Sequence, residues 1–212
     1  MPDAQFSSPE PAPVQAAAPA RKRPKPGERR VQILQARATM LEQPGAERIT
    51  TAALAARLEV SEAALYRHFA SKAQMFEGLI EFIEQSVFTL VNQISERENA
   101  GSVQAGKMVT MLLQFAEKNP GMTRVMVGDA LVFENERLQQ RMNQFFDKIE
   151  ATLKQSLRGA PEGEASATPS ADAQVKASML TSFVVGRLQR FARSGFRRLP
   201  SEHLEASLAH MV

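Results

Sequence analysis

The chain has 212 residues, no cysteine and a formal net charge of +3 at pH 7. The lack of cysteine excludes disulfide bonds and thiolate metal sites, and no apolar run reaches the roughly 18 residues that predict a transmembrane helix. Because the first residues also lack the apolar segment of a signal peptide, we expect a cytoplasmic protein with no membrane segment.

Residues 1–28 are predicted to form a disordered tail that is rich in alanine and proline and ends in a basic arm. The segment 21–30 carries a charge of +5, whereas residues 1–20 carry −2 and the remainder of the chain is neutral. One interpretation is a solubilising tail, and the other is an arm that contacts DNA phosphates or the minor groove. The position directly before the next segment favours DNA. The basic arm comprises Arg21, Lys22, Arg23, Lys25, Arg29 and Arg30.

Residues 29–72, here called the reading head, are predicted to form three short helices. The first is expected from about Gly27 to Glu42, before a Pro44-Gly45 turn. Thr51 is a plausible N-cap of the second helix, and Ser61 of the third. The residues expected on the apolar sides of the first two helices are Val31, Ile33, Leu34, Met40, Leu41, Leu54, Ala55, Leu58 and Val60.

The third of these helices is predicted to have a buried and an exposed side. Leu65 and Phe69 can pack inward, which leaves Ala64 and residues 66–68 facing outward. Two short helices joined by a tight turn are what a helix-turn-helix needs to present one helix to the major groove. Ser71 and Gln74 then form a capping box that starts a long fourth helix.

The segment 49–72, ITTAALAARLEVSEAALYRHFASK, resembles the DNA-binding helices of TetR-type regulators, including their YRHF-x-SK exit. Residues 75–84 (MFEGLIEFIE), 119–124 (NPGMTR) and 137–155 are similar to one branch of that family, the nucleoid occlusion factors. The likeness does not cover residues 1–20, and Glu59 stands where the family usually has a turn glycine. It implies an all-α fold, with the helix-turn-helix followed by a helical dimerisation and partner-binding domain over residues 73–212.

The resemblance also implies partners. The first is double-stranded DNA with a palindromic site, and the implied contact residues are Thr50, Thr51, Ser61, Ala64, Tyr66, Arg67, His68 and Lys72. Thr50, Tyr66 and Lys72 match phosphate contacts, whereas Ala64 and His68 lie where base edges are reached. The second is the division protein FtsZ, which implies a protein associated with the nucleoid. Its implied contacts are Phe82, Lys118 and Asn119.

The fourth helix is expected from Ser71 to about Glu98. Its predicted buried stripe is Phe76, Ile80, Ile83, Val87, Leu90 and Ile94. Phe82 and Phe88 leave that stripe, so either neighbouring helices cover both or one lines a protein-binding groove. By the resemblance, Phe82 is the better candidate, although Leu90 stands where the branch has an arginine.

Gly101, Gly106 and Lys107 match the opening of a phosphate-binding loop. The required Ser/Thr is missing and no strand precedes the glycines, so this segment is predicted to be a connection between helices. The next helix should end at Lys118 and Asn119, before a Pro120-Gly121 turn.

Two long helices with apolar faces are predicted near the C-terminus, joined by a flexible connection over 159–171. We interpret them as halves of an intermolecular four-helix bundle in a homodimer, the TetR-type arrangement; an intramolecular core is the alternative. The predicted dimer residues are Phe145, Ile149, Met179, Phe183, Leu188 and Phe191.

Only three histidines occur, and no hydrolase, zinc-protease or dinucleotide motif is present. We therefore expect no enzyme activity, no cofactor and no metal site. Two hypotheses remain: a DNA-guided inhibitor of FtsZ ring assembly, or a TetR-type transcriptional repressor released by a small ligand. The second requires a sizeable cavity with a few inward polar groups, whereas the nearly continuous apolar stripes predict a filled core.

Overall fold

The computed structural model describes residues 27–43, 49–158 and 169–212, and the regular structure within these ranges is all helical. The predicted all-α, TetR-type class is confirmed. The helices are α1 (Glu28–Leu41), α2 (Thr51–Arg57), α3 (Glu62–Tyr66), α4 (Lys72–Arg97), α5 (Gly101–Lys118), α6 (Pro120–Met126), α7 (Glu136–Arg158), α8 (Pro169–Arg193) and α9 (Leu204–Ala209), with a 3₁₀ turn at Asp129–Leu131.

The reading head has an apolar core of its own, to which the first turn of α4 contributes. Its buried members are Ile33, Leu54, Ala55, Leu65, Phe69 and Met75. Met75 lies beyond residue 72, so α4 contributes its first turn to the core of the reading head and its later turns to the core of the rest of the chain. Val31, predicted on the apolar side of α1, is 51% exposed instead. The predicted Pro44-Gly45 turn and most of the tail lie outside the described residues.

The start of α4 follows the predicted capping box. Ser71 Oγ accepts a hydrogen bond from the backbone N–H of Gln74 (3.2 Å), and Gln74 Oε1 accepts one from the N–H of Ala70 (2.8 Å). The predicted stripe is buried through Val87. Beyond it, Leu90 is 37% exposed and Val91 is buried in its place. At about 100° of rotation per residue, each step of seven residues falls slightly short of two full turns, so the predicted stripe drifts away from the core along the helix.

The second core lies among α4, α5, α7 and α8, where α7 and α8 pack against each other. Phe145, Ile149, Leu188 and Phe191 are at most 2% exposed within a single chain. Their assignment to a surface between chains is therefore corrected: these side chains face the neighbouring helices of their own chain. The predicted connection between helices is also wrong for this segment: Gly101, Gly106 and Lys107 lie inside the continuous helix α5, where no phosphate-binding loop can form.

Helix α6 was not predicted. Pro120 and Gly121 form its first turn instead of a loop, and Pro suits the first helical position because its missing N–H would have no partner there. Thr123 is buried, and its hydroxyl donates to a backbone carbonyl, with those of Ala116 (3.0 Å) and Asn119 (3.1 Å) within reach. Helix α6 packs against α1 and so joins the reading head to the C-terminal core.

A buried cation, Arg37 of α1, lies at this junction. Its side chain is fully buried, with the guanidinium 4.1 Å from the centre of the Phe76 ring and one nitrogen 3.9 Å from Met75 Sδ. The Nε atom has no hydrogen-bond partner. Burial lowers the pKa of Arg37 to about 10, and the nearby charge of Glu134 partly opposes this shift. Keeping this cation buried at neutral pH therefore costs on the order of 3 kcal/mol.

Replacing Arg37 by methionine is expected to stabilise the fold. The change removes a buried charge with an unsatisfied nitrogen and puts an unbranched apolar side chain in its place. Replacing buried charged groups by apolar side chains of similar volume is often neutral or stabilising. Since the pKa of Arg37 is lower in the folded than in the unfolded state, the burial penalty is complete below about pH 10 and is relieved as the pH rises above that value. We expect Arg37→Met to raise Tm by a few degrees at pH 7, measured by calorimetry. A lower Tm would show that the ring contact outweighs the burial cost.

Candidate nucleic-acid interface

The two helices of the helix-turn-helix are both capped at their N-termini. Thr50 Oγ accepts a hydrogen bond from the N–H of Ala53 (3.1 Å), so the cap of α2 is Thr50 and not the predicted Thr51. Ser61 Oγ caps α3 as predicted, accepting from the N–H of Ala64 (3.2 Å). A cap hydroxyl used as an acceptor still has its O–H to donate, so Thr50 and Ser61, both exposed, remain able to bind phosphate oxygens.

The turn between α2 and α3 contains a left-handed residue. Glu59 has φ 53°, a conformation that costs a non-glycine residue roughly 1–2 kcal/mol. The N–H groups of Glu59 and Val60 bond to the carbonyls of Ala56 (3.1 Å) and Ala55 (3.0 Å) and hold the turn closed. Glutamate therefore occupies the turn position without opening the motif.

A chain of polar contacts joins α2 to α3. The Thr51 hydroxyl donates to Glu62 Oε2 at 2.6 Å, and the Tyr66 hydroxyl lies 3.5 Å from Thr51 Oγ. Thr51 is half-buried, whereas Tyr66 is 44% exposed. Thr51 thus orients α3 from within the reading head, and Tyr66 still presents its ring edge and hydroxyl outside.

The outer side of α3 and its exit is free of covering elements among the described residues. Tyr66, Arg67 and His68 are exposed and Ala64 is half-buried, while Leu65 and Phe69 anchor the opposite side in the core. This division matches the prediction from the sequence. The outward side chains of α3 and its exit are therefore the small Ala64, the aromatic Tyr66, the cationic Arg67 and the imidazole of His68. This composition suits a DNA groove.

Arg30 was counted with the basic arm and also expected at the start of the first helix, and it lies in the first turn of α1. One of its nitrogens donates to the backbone carbonyl of His68 at 3.1 Å, and its guanidinium lies 4.2 Å from the centre of the Phe69 ring. Arg30 therefore secures the exit of α3, and half-buried Arg29 is also helical. The remaining arm residues, Arg21, Lys22, Arg23 and Lys25, lie outside the described residues.

Lys72 is the first residue of α4, and its ammonium forms an ion pair with Glu134. Glu134 lies just before α7, with its side chain 9% exposed, whereas that of Lys72 is 35% exposed. The pair connects the reading head to the C-terminal domain. The sequence contained no signal for this contact or for that of Arg30, because each joins residues dozens of positions apart.

Lys72→Ala is expected to weaken binding to all DNA sequences alike, because a phosphate contact carries no base information. The slope of log K against log salt should fall by about one phosphate contact. Lys107→Ala is the matched control, since Lys107 also pairs with a glutamate, Glu98, but lies on α5. Fluorescence anisotropy at several salt concentrations measures both variants. A loss confined to one DNA sequence, with an unchanged slope, would contradict the assignment of Lys72.

The residues predicted to meet a protein partner lie on the two helices after the reading head. Phe82 on α4 is 45% exposed, whereas Phe88 is half-buried with its ring 5.7 Å from that of Phe145. Lys118 is exposed at the end of α5, and half-buried Asn119 donates its side-chain N–H to the carbonyl of Phe115 (2.7 Å). Of the two phenylalanines outside the α4 stripe, Phe82 is the one that a partner could reach.

The described ranges contain no helix long and apolar enough to cross a membrane. In the same ranges, no group of three or more histidine, aspartate or glutamate side chains could hold a metal ion.

Comparisons with known proteins place this arrangement. Residues 33–79 match the model of bacterial regulatory proteins of the TetR family, and residues 101–212 match the model of the SlmA-like, tetracyclin repressor-like C-terminal domain. The chain is 51% identical over 178 residues to the nucleoid occlusion factor SlmA of Vibrio cholerae, covering 84% of this chain and 90% of that one. The chain belongs to the SlmA family of TetR-type proteins.

Other relatives and structures agree with this family. The SlmA of Aliivibrio fischeri strain ES114 is 52% identical over 181 residues, covering 85% of this chain and 92% of its own. Among solved structures, a TetR regulator from Legionella pneumophila has a TM-score of 0.68 at 16% identity, covering 88% of this chain and 97% of that one. FadR from Bacillus subtilis, solved with stearoyl-CoA, has a TM-score of 0.65 at 14% identity, with coverage of 86% and 97%. These two structures share the TetR fold with the SlmA family.

Proposed function

We propose that the chain is a DNA-binding nucleoid occlusion factor, which binds palindromic chromosomal sites as a homodimer and inhibits assembly of the FtsZ ring over the nucleoid. The observation that carries the proposal is the reading head itself, with its exposed α3 side, on a chain 51% identical to a nucleoid occlusion factor over most of its length. The place of action is then the nucleoid, within the cytoplasm.

The DNA site follows from the two-fold symmetry of a homodimer. Each reading head would place α3 in one major groove, with its outward side chains towards the base edges and Thr50, Tyr66 and Lys72 towards the phosphates. Two heads related by a two-fold axis require a near-palindrome, with half-sites about one helical turn, ~34 Å, apart. Footprinting on such a duplex tests this geometry.

We reassign the contact with a second copy of the chain to the outer side of α8. Val175 (59% exposed) and Met179 (53% exposed) lie one helical turn apart, and half-buried Phe183 follows at the next turn. The opposite side of α8 holds buried Leu180, Val184 and Leu188 in the core. We assign the dimer contact to the exposed side, and of the predicted residues Met179 and Phe183 remain.

The FtsZ surface is assigned to Phe82, Lys118 and Asn119. Helix α5 ends where α6 packs on α1, so Lys118 lies at the end of the bundle nearest the reading head, and Phe82 lies in the nearer half of α4. An exposed aromatic side chain and an exposed cation are groups that suit a flexible, acidic protein segment. This arrangement would let one dimer hold DNA and FtsZ on different faces.

The ligand-released repressor receives less support. A hydrophobic core fills the space among α4, α5, α7 and α8, with Val87, Leu112, Phe145 and Val184 all fully buried. The centre of this bundle is packed with apolar side chains, where an enclosed ligand site would need a cavity with inward polar groups. A cleft of about 650 Å³ does lie between α7 and α8, but it opens at the surface, where its lining residues Asn143 and Asp147 are exposed. The function we propose needs no internal ligand.

Phe82→Ala is expected to abolish inhibition of FtsZ assembly, while DNA affinity stays within twofold and Tm within about two degrees. Tm should change little because Phe82 is half exposed, so its truncation removes little apolar contact from the core. Light scattering of FtsZ with the protein, with and without its DNA site, measures the inhibition.

Phe133→Ala serves as the control, because Phe133 is another exposed phenylalanine (73%) and lies just before α7. It should inhibit FtsZ like the unaltered protein. If Phe82→Ala lowers Tm by several degrees, or if both variants inhibit equally, the assignment of Phe82 to the partner surface is wrong.

A further inference from the structure

The segment 194–203, between α8 and α9, forms a cleft with the last turns of α8. The cleft has a volume of about 780 Å³, within the range of small-molecule sites. Its lining residues are Arg187, Arg190, Arg197, Arg198, Leu199, Ser201, Glu202 and His203. None belongs to the reading head or to the predicted FtsZ surface. Arg187 adjoins the exposed apolar side of α8, since its guanidinium lies 4.8 Å from the centre of the Phe183 ring.

The charge in this cleft is strongly one-sided. Four arginines line it against a single acid, Glu202, whose carboxylate lies 3.8 Å from the His203 imidazole. Among the described residues, none of the four guanidinium groups forms an ion pair, although Lys72, Lys107, Arg137 and Arg141 all do. Collecting four unpaired guanidinium groups costs repulsion that a bound anion would relieve.

Local hydrogen bonds hold the arginine-bearing segment in place. Ser194 Oγ accepts from the N–H groups of Arg197 (3.1 Å) and Arg198 (2.9 Å), and its hydroxyl donates to the carbonyl of Phe191 (2.8 Å). The Nε–H of Arg197 donates to the carbonyl of Ser194 (2.9 Å), and an Nη of Arg187 lies 3.4 Å from Ser207 Oγ. Part of the ordering that binding would require is therefore already complete.

The backbone around the cleft is also strained. Three non-glycine residues of the described chain have positive φ: Glu59 in the helix-turn-helix, Phe196 (φ 64°) and His203 (φ 54°). Phe196 and His203 lie on either side of the arginine pair. Each costs on the order of 1–2 kcal/mol, and strain of this kind concentrates at functional sites. The Phe196 ring, packed 5.1 Å from the Phe191 ring, fixes its end of the segment.

We propose that this cleft binds an anion that carries two or more phosphate groups. A guanidinium group presents a planar fork of N–H donors that matches two phosphate oxygens, and all four cations here are arginine, the better residue for such paired contacts. Four arginines and one glutamate give the cleft an excess of positive charge, which a ligand with a single carboxylate would not neutralise. The phosphates come either from a DNA backbone or from a free phosphorylated molecule.

Calorimetric titration with inorganic pyrophosphate tests the site in the full-length protein. Arg197→Gln/Arg198→Gln should weaken binding at least tenfold. The control Arg158→Gln/Arg193→Gln removes the same charge from two exposed arginines that do not line the cleft, and should change binding less than twofold. Equal weakening in both double variants, or no binding to the unaltered protein at millimolar pyrophosphate, would overturn the proposal.

The source of the phosphates is distinguished with a duplex of scrambled sequence. If DNA is the source, the Arg197/Arg198 variant should lower the slope of log K against log salt by about two relative to the control. If a free molecule is the source, that slope stays unchanged while pyrophosphate binding is lost. Lys72→Ala should leave pyrophosphate binding intact, so failure of the reading-head assignment and failure of this site are separable. A change in association state with the Arg197/Arg198 variant, seen by sedimentation, would identify the cleft as a contact between copies and reject the proposal.

Discussion

Gly121→Ala is expected to destabilise the fold by about 3 kcal/mol or more and to weaken DNA binding at the same time. A Cβ atom on Gly121 would lie 1.8 Å from the carbonyl oxygen of Ala38 and 2.8 Å from its carbonyl carbon. Both are backbone atoms of α1, so no side-chain rotation relieves the overlap. The first turn of α6 and helix α1 would have to separate, which moves the reading head relative to the C-terminal core.

Thermal unfolding measures the stability, and we expect Tm to fall by roughly ten degrees for a chain of this size. Gly106→Ala is the matched control, because Gly106 lies inside α5 with no atom within 4 Å of its added Cβ. Alanine there should stabilise the helix by about 0.5–1 kcal/mol. If both variants melted alike, α1 and α6 would not be in the close contact described above.

The second large effect concerns the dimer. Met179→Asp is expected to convert the protein to monomers and to reduce affinity for a palindromic duplex by at least 100-fold, because each monomer then holds one half-site. Met179 is 53% exposed within one chain, so an aspartate costs the monomer little. Between two chains, the same carboxylate would be buried without a partner. Analytical ultracentrifugation and anisotropy measure the two effects.

Val103→Asp is the control for the dimer prediction, since Val103 is an exposed apolar residue (43%) on α5. It should remain dimeric and bind DNA normally. Leu188 is unsuitable for this test because it is fully buried, and a charge there would unfold the chain before it affected association. A Met179→Asp protein that stays dimeric would exclude the outer side of α8 as the interface.

Much of the fold and of the reading head could be predicted because the deciding interactions are local. The Ser61 and Ser71 caps each join residues three positions apart, and the inward placement of Leu65 and Phe69 follows from helical spacing. The wrong N-cap of α2 is an equally local matter. Thr50 and Thr51 are adjacent and either could cap a helix, so the prediction missed the cap by one residue. Periodicity placed α4, α7 and α8 correctly but could not assign their apolar sides to one chain or two.

The amino-acid sequence by itself determined the helical class, the helix-turn-helix and the family, because caps, apolar spacing and short motifs act within a few residues of one another. Only the tertiary structure decided which apolar side chains stay exposed, such as Phe82 and Met179, and which are internal, such as Phe145 and Leu188. It also decided that Gly121 is needed for close contact between helices, that Arg30 and Lys72 bond across the chain, and that four arginines share one cleft. Each depends on helices separated by tens of residues that pack side by side, and local periodicity carries no information about which helix face meets which.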